Sequence, residues 1–328
     1  MQIASQIDPV LKVEDLKVHF PINRGVFMRE VGNVRAVDGI SFNMQRGEIL
    51  GIVGESGCGK STALRALLNL ISATEGHVRF NGTDVRTCSK KQLRHLRKKM
   101  QIVFQDPFAS LNPRMSVGQL LCEPYKIHGI GTPMIRREKA LKLLSYVGLN
   151  EDHFFRYPHE FSGGQRQRIA IARALTLEPE LLCCDEPVSA LDVSVQSQIL
   201  NLLKKLQKEF FLTILFISHD LAVVKYFCKR VHVMYLGRFV ESQTTEGLFK
   251  TPRHPYTQSL ISAIPRPKPG QQKKRIILEG DVPNPANIPK GCRFHPRCFK
   301  ATDVCKKEVP NDFYFPDGSM VSCHHADV

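Results

Sequence analysis

The sequence lacks any long uninterrupted apolar run. A helix that crosses a bilayer needs about 20 consecutive apolar residues, whereas the strongest apolar stretches here, such as residues 212–217, are the length of buried strands. The N-terminus, MQIASQIDPV, lacks the basic region and apolar core of a secretory signal. We therefore expect a protein that is made and kept in the cytosol. Internal repeats and long low-complexity segments are also missing, so 328 residues suit one large domain with an appendage, or two domains.

Acidic residues are scarce relative to basic ones. The chain has 31 Asp and Glu against 46 Lys and Arg, a formal net charge of +15. Such a surplus suits a polyanion, either nucleic acid or an anionic lipid surface, and does not choose between them. Residues 266–307 hold 11 basic and 3 acidic side chains. Charge patterning leaves two interpretations of this segment open, a solvated basic surface and a membrane-facing patch.

Hydrophobic periodicity predicts alternating strands and helices. The strand segments are residues 11–20, a pair within 35–53 that ends in the buried run 49–53, and the buried runs 181–184 and 213–217. A polar loop is predicted over residues 21–32. The helical segments are residues 61–70, 136–147 and 193–210. This alternation predicts an α/β fold with a mainly parallel sheet covered by helices.

Composition changes near residue 250. Prolines are dense over residues 252–296, which argues against long helices and predicts an extended, loop-rich tail. We therefore predict a core domain over residues 1–250, with a helical subdomain over about 106–165, and a C-terminal extension over 251–328.

A glycine-rich segment after the buried run 49–53 matches the phosphate-binding pattern GxxxxGK[ST] without a gap. Its residues are Gly54, Glu55, Ser56, Gly57, Cys58, Gly59, Lys60, Ser61 and Thr62. Glycines let backbone N–H groups close around phosphate oxygens, and the following helix points its N-terminus at the anion. Lys60 would supply a cation for the β and γ phosphates, and Ser61 a hydroxyl for Mg²⁺. Because the segment lies between a strand and a helix, a chance glycine turn is a poor explanation.

A second element places two carboxylates after an apolar strand. Residues 181–184 precede Asp185 and Glu186. Asp185 could hold Mg²⁺ through water, and Glu186 could act as the general base toward an attacking water. Ordinary surface carboxylates are the alternative, which the apolar residues immediately before the pair disfavour.

The segment FSGGQRQR at residues 161–168 adds a further pattern. Together with the phosphate-binding loop (P-loop) at residues 54–62 and the Asp185–Glu186 pair, it resembles the signature of ABC-type ATPases. That resemblance implies an α/β P-loop fold with an antiparallel β region and a helical subdomain. The resemblance implies that Ser162, Gly163, Gly164 and Gln165 contact ATP held by the P-loop of a second ATPase chain. Backbone amides at a helix N-terminus suit that role.

Other positions receive roles from the same resemblance. Gln105 looks like the glutamine that contacts Mg²⁺ and the attacking water, and His219 looks like the switch histidine that positions the γ-phosphate. Asp192 closes the segment SALD at residues 189–192, which resembles the D-loop. Phe20 lies where an aromatic residue stacks on adenine in this family, although an aromatic residue at a strand end is often there for packing.

The segments MYLGR and TPRHPYTQSLISAIP, at residues 234–238 and 251–265, resemble the ATPase subunits of bacterial dipeptide and oligopeptide importers. That resemblance implies ATP and Mg²⁺ as ligands. The implied partners are a paralogous ATPase chain, two transmembrane permease subunits and, indirectly, an extracytoplasmic substrate-binding protein. It also implies peripheral attachment to the cytoplasmic face of the inner membrane. A nickel importer is the alternative; a nucleic-acid-associated ABC ATPase fits less well, since neither a second cassette nor a long coiled coil is present, and no nucleic acid is expected.

Four cysteines are concentrated near the C-terminus: Cys292, Cys298, Cys305 and Cys323. Their separations of 5, 6 and 17 residues contain no CxxC pair, which disfavours zinc. A 4Fe–4S cluster, a zinc ion and unmetallated thiols all remain open from the residues. The resemblance to peptide-importer ATPases favours the cluster.

Overall fold

The structure, a computed structural model, describes residues 8–25, 29–264 and 275–326. Four of the basic residues counted above lie outside these ranges: Arg266, Lys268, Lys273 and Lys274. Along the described chain the strands are β1 (Leu11–Arg24), β2 (Arg29–Met44), β3 (Ile49–Val53), β4 (Glu75–Phe80), β5 (Thr83–Asp84), β6 (Met100–Val103), β7 (Leu181–Asp185), β8 (Thr213–Ser218), β9 (Arg230–Tyr235), β10 (Arg238–Thr244), β11 (Asp312–Tyr314) and β12 (Met320–Ser322).

The α-helices follow the same order: α1 (Lys60–Leu67), α2 (Lys90–Lys99), α3 (Pro107–Ser110), α4 (Val117–Ile127), α5 (Pro133–Tyr146), α6 (Gly163–Leu175), α7 (Val193–Phe210), α8 (Leu221–Phe227), α9 (Thr245–Lys250), α10 (Pro255–Ser262) and α11 (Asp303–Lys307). Short 3₁₀ helices cover Glu151–Phe155, Pro158–Glu160 and His295–Arg297. The chain divides into two compact units. The described part of the first comprises Gln45–Glu48 and Cys88–Ile217, and that of the second comprises Asp8–Met44, Ile49–Thr87 and residues 218–326.

The first unit has a parallel sheet in which β6 pairs with β7 and β7 pairs with β8. All residues of β7 and β8 are buried, as expected for strands covered on both faces. Parallel neighbours require a crossover connection, and α7 provides the one between β7 and β8. Its buried face includes Ile199, Leu203 and Leu206. The predicted strands at 181–184 and 213–217 and the predicted helix over 193–210 are confirmed.

The second unit contains two sheets. In one, the strands are antiparallel in the order β2, β1, β4, β5; in the other, the order is β11, β12, β10, β9, β3, with only the β3–β9 pair parallel. A two-residue turn joins β9 to β10, and both of its residues, Leu236 and Gly237, have positive φ. That geometry matches the right-handed twist of a hairpin.

The predicted polar loop over residues 21–32 is wrong for residues 21–24 and 29–32, which form strands, whereas residues 26–28 lie outside the described residues. Strand β1 continues to Arg24 and β2 begins at Arg29, and the register places Ile22 opposite Gly32. One long hairpin therefore replaces the loop. Polar residues misled the prediction because this part of the sheet is largely exposed, so its strands carry little of the apolar alternation that marks a half-buried strand.

The C-terminal extension contributes regular structure as well as loops. Strand β12 pairs with β10, with Val321 opposite Glu241, and β11 pairs with β12. Three buried rings, Tyr235, Tyr256 and Phe294, pack with centroids 4.8–5.4 Å apart. Aromatic contacts at such distances add to the apolar area that they bury. The extension thus shares a sheet and an aromatic core with residues 230–244.

Candidate nucleotide-binding site

The P-loop follows β3 and leads into α1, as the motif predicts. Gly59 has a φ of 107°, and a Cβ built there would collide with the carbonyl oxygen of Ala36. A Cβ at Gly54 would collide with the carbonyl oxygen of Met234. Glycine is therefore required at both positions, by close backbone approach and, at Gly59, by a left-handed conformation. Helix α1 starts at Lys60 and ends at Leu67, three residues before the predicted end.

The Lys60 ammonium is held within the P-loop. Lys60 is 4% exposed, and its Nζ donates to the carbonyl oxygens of Gly54 at 2.8 Å and Glu55 at 3.0 Å. A buried ammonium requires acceptors, and these carbonyl groups provide them. Ser61 and Thr62 follow, half-buried in the first turn of α1. The arrangement keeps a cation and a hydroxyl at a helix N-terminus, where anions bind.

Glu55 contacts the C-terminal extension. Its carboxylate accepts hydrogen bonds from the Arg297 guanidinium at 2.7 and 3.1 Å. Its backbone N–H donates to the hydroxyl of Tyr256 at 2.9 Å. Sequence reasoning missed both partners, since the motif leaves position 55 unspecified. The remaining residues of the P-loop divide by exposure: Ser56 and Gly57 are exposed, and Cys58 is buried.

In the first unit, β7 ends at the predicted carboxylates. Asp185 is its last residue and is 2% exposed. Glu186 has a φ of 45°, and its N–H donates to the carbonyl oxygen of Ile217 at 3.1 Å. A left-handed conformation is costly for a residue with a side chain and recurs at functional sites. The strand therefore stops at Asp185, and the two carboxylates occupy different environments, one buried and one half-buried.

Gln105 lies beside Glu186. The side-chain amide of Gln105 donates to the Glu186 carboxylate at 3.2 Å and to the Ser189 hydroxyl at 3.4 Å. That hydroxyl donates in turn to the Glu186 carbonyl oxygen at 3.0 Å. Two of the three predicted catalytic residues thus come together. Ser189 was recognised only as the start of the D-loop-like segment, because a sequence pattern does not reveal this contact.

The signature segment forms the N-terminus of α6. Ser162 is the N-cap: its hydroxyl accepts from the Gln165 N–H at 3.4 Å, while the Gln165 side chain accepts from the Ser162 N–H at 3.0 Å. This reciprocal capping box fixes the first turn. A Cβ at Gly163 would lie 3.3 Å from Leu191, and one at Gly164 would lie 2.5 Å from Val195. Ser162 and Gly163 are exposed.

Three further predicted residues are exposed, Phe20 within β1 and the other two beside the ends of elements. Phe20 is 43% exposed and pairs with Val34 across the β1–β2 hairpin. His219 is exposed directly after β8, and Asp192 is exposed at the N-cap of α7. Phe20, His219 and the P-loop belong to the second unit, whereas Gln105, Asp185, Glu186, Asp192 and the signature segment belong to the first. Their predicted roles remain predictions.

The four C-terminal cysteines all lie in the second unit. Burial raises the pKa of the Cys292 thiol to about 11 and also raises the pKa of Cys298 and Cys323, and neighbouring thiols in the group act in the same direction. The Cys305 sulfur lies 3.7 Å from His325 Nε2. Across residues 8–25, 29–264 and 275–326, no group of three or more His, Cys, Asp or Glu side chains is placed to hold a metal ion.

Among the described residues, none of the helices combines the length and apolar character that crossing a bilayer requires.

Comparison with known proteins identifies the class and then the family. The ABC transporter family matches residues 37–189, and the C-terminal region of oligopeptide/dipeptide transporters matches residues 240–305. Among solved structures, the ATP-binding cassette MJ0796 in a dimeric, post-hydrolysis state with ADP and Pi is similar, with a TM-score of 0.64, 29% identity, and coverage of 72% of this chain and 98% of that one. CbiO1 from Clostridium perfringens has a TM-score of 0.63 and 31% identity, covering 74% of this chain and 92% of that one. The fold is therefore that of an ATP-binding cassette, as predicted.

Two curated relatives cover nearly the whole chain. The oligopeptide transport ATP-binding protein AppF of Bacillus subtilis is 52% identical over 98% of this chain and 98% of its own length. The dipeptide transport ATP-binding protein DppF of Haemophilus influenzae is 48% identical over 97% of each. The chain belongs to the family of ATP-binding proteins of oligopeptide and dipeptide ABC transporters, which confirms the resemblance found in the sequence.

Proposed function

We propose that this chain is the ATP-hydrolysing subunit of an importer for dipeptides or oligopeptides. One observation carries the proposal: a P-loop with the required glycine geometry lies in a chain that resembles peptide-transport ATP-binding proteins over almost its full length. The match of residues 240–305 to the C-terminal region of such transporters supports the peptide cargo over nickel. The formal net charge of +15 suits an anionic lipid surface as well as nucleic acid, whereas the matching families and relatives are transport proteins.

ATP binding in this proposal rests on the P-loop of the second unit. Backbone N–H groups of residues 54–59 and the Lys60 ammonium bind the phosphates, and Phe20 stacks on adenine. Ser61, Gln105 and Asp185 would hold Mg²⁺ when it is bound, Ser61 through its hydroxyl and Asp185 through its carboxylate. Magnesium, when bound, neutralises the charge that develops on the phosphates. The buried ammonium and the hydroxyl beside it at the start of α1 fit that ion and its nucleotide.

Hydrolysis is assigned to the pair that the structure brings together. Glu186 accepts a proton from the attacking water, and Gln105, whose amide is 3.2 Å from the Glu186 carboxylate, orients that water and the base. His219 positions the γ-phosphate. The direct Gln105–Glu186 contact supports a shared role for these two residues.

Each ATP site is completed by a second ATPase chain. The capped, exposed N-terminus of α6, from Ser162 to Gln165, offers backbone amides to ATP on the partner, and Asp192 lies at the same interface. The dimeric state of MJ0796 supports a pair of cassettes as the working unit. The partner here is a paralogous ATPase chain.

The remaining parts of the importer follow from the family. Two permease subunits span the membrane, an extracytoplasmic binding protein delivers the peptide, and this chain attaches peripherally to the cytoplasmic face. We also propose that residues 1–250 form the ATPase domain, with a helical subdomain over about 106–165, and that residues 251–328 form an extension specific to this family.

Transport can be measured directly. The chain is reconstituted with its neighbouring-gene permeases, partner ATPase and binding protein in proteoliposomes, and uptake of labelled dipeptides, tripeptides and Ni²⁺ is followed with and without ATP. The expected result is ATP-dependent accumulation of peptide. Accumulation of Ni²⁺ without peptide, or no uptake of either while ATP is hydrolysed, would contradict the proposed cargo.

We propose further that Cys292, Cys298, Cys305 and Cys323 ligate a 4Fe–4S cluster. The support for this proposal is that all four cysteines lie in the second unit, where, after burial, neighbouring thiols of the group also raise the pKa of Cys292 and Cys323. Because the described residues hold no ready metal group, the thiols must rearrange on binding. A bound cluster would cross-link and stabilise an extension that has little apolar core of its own.

Anaerobic purification followed by iron, sulfide and zinc analysis tests the cluster. We expect about four iron and four sulfide per chain, with loss of both in Cys298→Ser. Cys88→Ser, which alters a cysteine outside the C-terminal group, is the matched control and should retain the iron. An iron-free protein would refute the cluster, and zinc in its place would reassign the site.

A further inference from the structure

Hydrogen bonds at Glu55 connect the P-loop to the C-terminal extension. Arg297 Nη1 donates to Glu55 Oε2 at 2.7 Å, and Nη2 donates to Oε1 at 3.1 Å. The Arg297 side chain is only 8% exposed and that of Glu55 is 29% exposed. A bidentate guanidinium–carboxylate pair is among the stronger and more directional contacts of proteins. Sheltered from water, it holds the Glu55 side chain in one position.

A second contact fixes the backbone of the same residue. The Glu55 N–H donates to the Tyr256 hydroxyl at 2.9 Å. The Tyr256 ring is fully buried between Tyr235 and Phe294, so its hydroxyl has little freedom to move. Burial raises the pKa of Tyr256 well above its ordinary value, which further disfavours ionisation of a hydroxyl that is already neutral near pH 7.

The backbone carbonyl group of Glu55 contacts the P-loop lysine. The Glu55 carbonyl oxygen accepts from Lys60 Nζ at 3.0 Å. The N–H, the carbonyl and the carboxylate of this residue are therefore all engaged, two of them by the extension and one by Lys60. Movement of Glu55 would displace the Lys60 ammonium, while the GxxxxGK[ST] motif itself sets no requirement at position 55.

We propose that Arg297 and Tyr256 are positioning residues of the ATP site, which hold Glu55 so that the P-loop presents Lys60 to the phosphates. The proposal rests on the proposed function, in which ATP binds at this P-loop. In this role both residues act through Glu55. Both lower the cost of ordering the loop when ATP binds, which is the usual benefit of preorganisation. The C-terminal extension thereby becomes part of the nucleotide site.

Equilibrium binding of a fluorescent ATP analogue with Mg²⁺ to the purified full chain tests this. We expect Arg297→Gln to weaken binding about tenfold, Arg297→Lys to weaken it less because one of two hydrogen bonds survives, and Tyr256→Phe to weaken it about threefold. Tyr256→Phe keeps the buried ring and removes only the hydroxyl. Lys307 is an exposed basic residue of the same extension. The variant Lys307→Gln is therefore the matched control and should bind the ATP analogue as tightly as the wild type. Unfolding temperatures without nucleotide are measured in parallel.

The variant Lys60→Ala distinguishes a failure of the proposed ATP site from a failure of the proposed positioning role. If Lys60→Ala binds ATP as wild type does, the proposed P-loop site fails. If Lys60→Ala loses binding while Arg297→Gln and Tyr256→Phe match the Lys307→Gln control, the positioning role alone is overturned. A loss in Arg297→Gln explained by its unfolded fraction, with Tyr256→Phe unaffected, overturns it as well. In the Glu55→Gln, Arg297→Gln double variant, losses no larger than those of the single variants support the proposal, and additive losses contradict it.

Discussion

Replacing Glu186 with glutamine is expected to reduce ATP turnover by the assembled transporter about 10²- to 10⁴-fold, the range that a general base contributes. MgATP affinity should stay close to that of the wild type, because Glu186 lies outside the P-loop. Glutamine keeps the size of the side chain and can still accept the hydrogen bond that Gln105 donates at 3.2 Å. The substitution therefore removes the proton acceptor with little change in shape. Phosphate release and nucleotide binding, measured on the same preparation, separate the two effects.

The matched control for that substitution is Glu209→Gln. Glu209 is an exposed carboxylate on α7 in the same unit, so the change in net charge is the same. Turnover in this control should remain at the wild-type level. Turnover by Glu186→Gln that equals that of Glu209→Gln would remove Glu186 from the mechanism.

A second large effect is expected at Gly164. A Cβ at this position would lie 2.5 Å from Cγ1 of Val195, closer than side chains tolerate, so alanine must shift either Val195, whose χ1 is stiff in a helix, or the first turn of α6. If that turn binds the partner's ATP, Gly164→Ala should reduce turnover about 10²-fold, as does loss of one well-placed hydrogen-bond donor in other enzymes. The affinity of this chain's own P-loop for MgATP should not change.

A compensating change distinguishes this local clash from general damage. In the Gly164→Ala, Val195→Ala double variant, the atom that Cβ would strike is gone. Turnover should recover substantially, whereas Val195→Ala alone should have a small effect. Failure of the double variant to recover, or an equal loss of ATP binding by the chain's own P-loop, would contradict the assignment of α6 to the partner's site.

The chemistry of the P-loop and of the Asp185–Glu186 pair was predictable because each depends on adjacent residues. A buried strand, a glycine turn and a helix follow one another within Ile49–Leu67, so the motif carries its own structural context. The β7 carboxylates are similar: four buried residues lead directly to Asp185. Family resemblance then supplied Gln105, whose contact with Glu186 joins positions 81 residues apart.

Contacts between distant segments were not predictable in the same way. Tyr256 and Arg297 are separated from Glu55 by 201 and 242 residues, and neither belongs to a motif that specifies a partner. The error at residues 21–32 has a different cause. Exposed strands of a long hairpin are held by backbone pairing, and their polar sequence resembles that of a loop. The prediction of a loop-rich tail also missed β11 and β12, which have three residues each; β11 pairs with β12, and β12 pairs with distant β10.

In the proposed mechanism, this chain holds half of each ATP site and hydrolyses ATP only with a second ATPase chain. The most direct measurement is the rate of ATP hydrolysis per chain, at fixed protein concentration, before and after the partner ATPase is added. The account predicts negligible turnover by the chain alone and a rate that rises with added partner to saturation near equal amounts. Hydrolysis by the chain alone, at a rate per chain that neither its own dilution nor the partner changes, would contradict it.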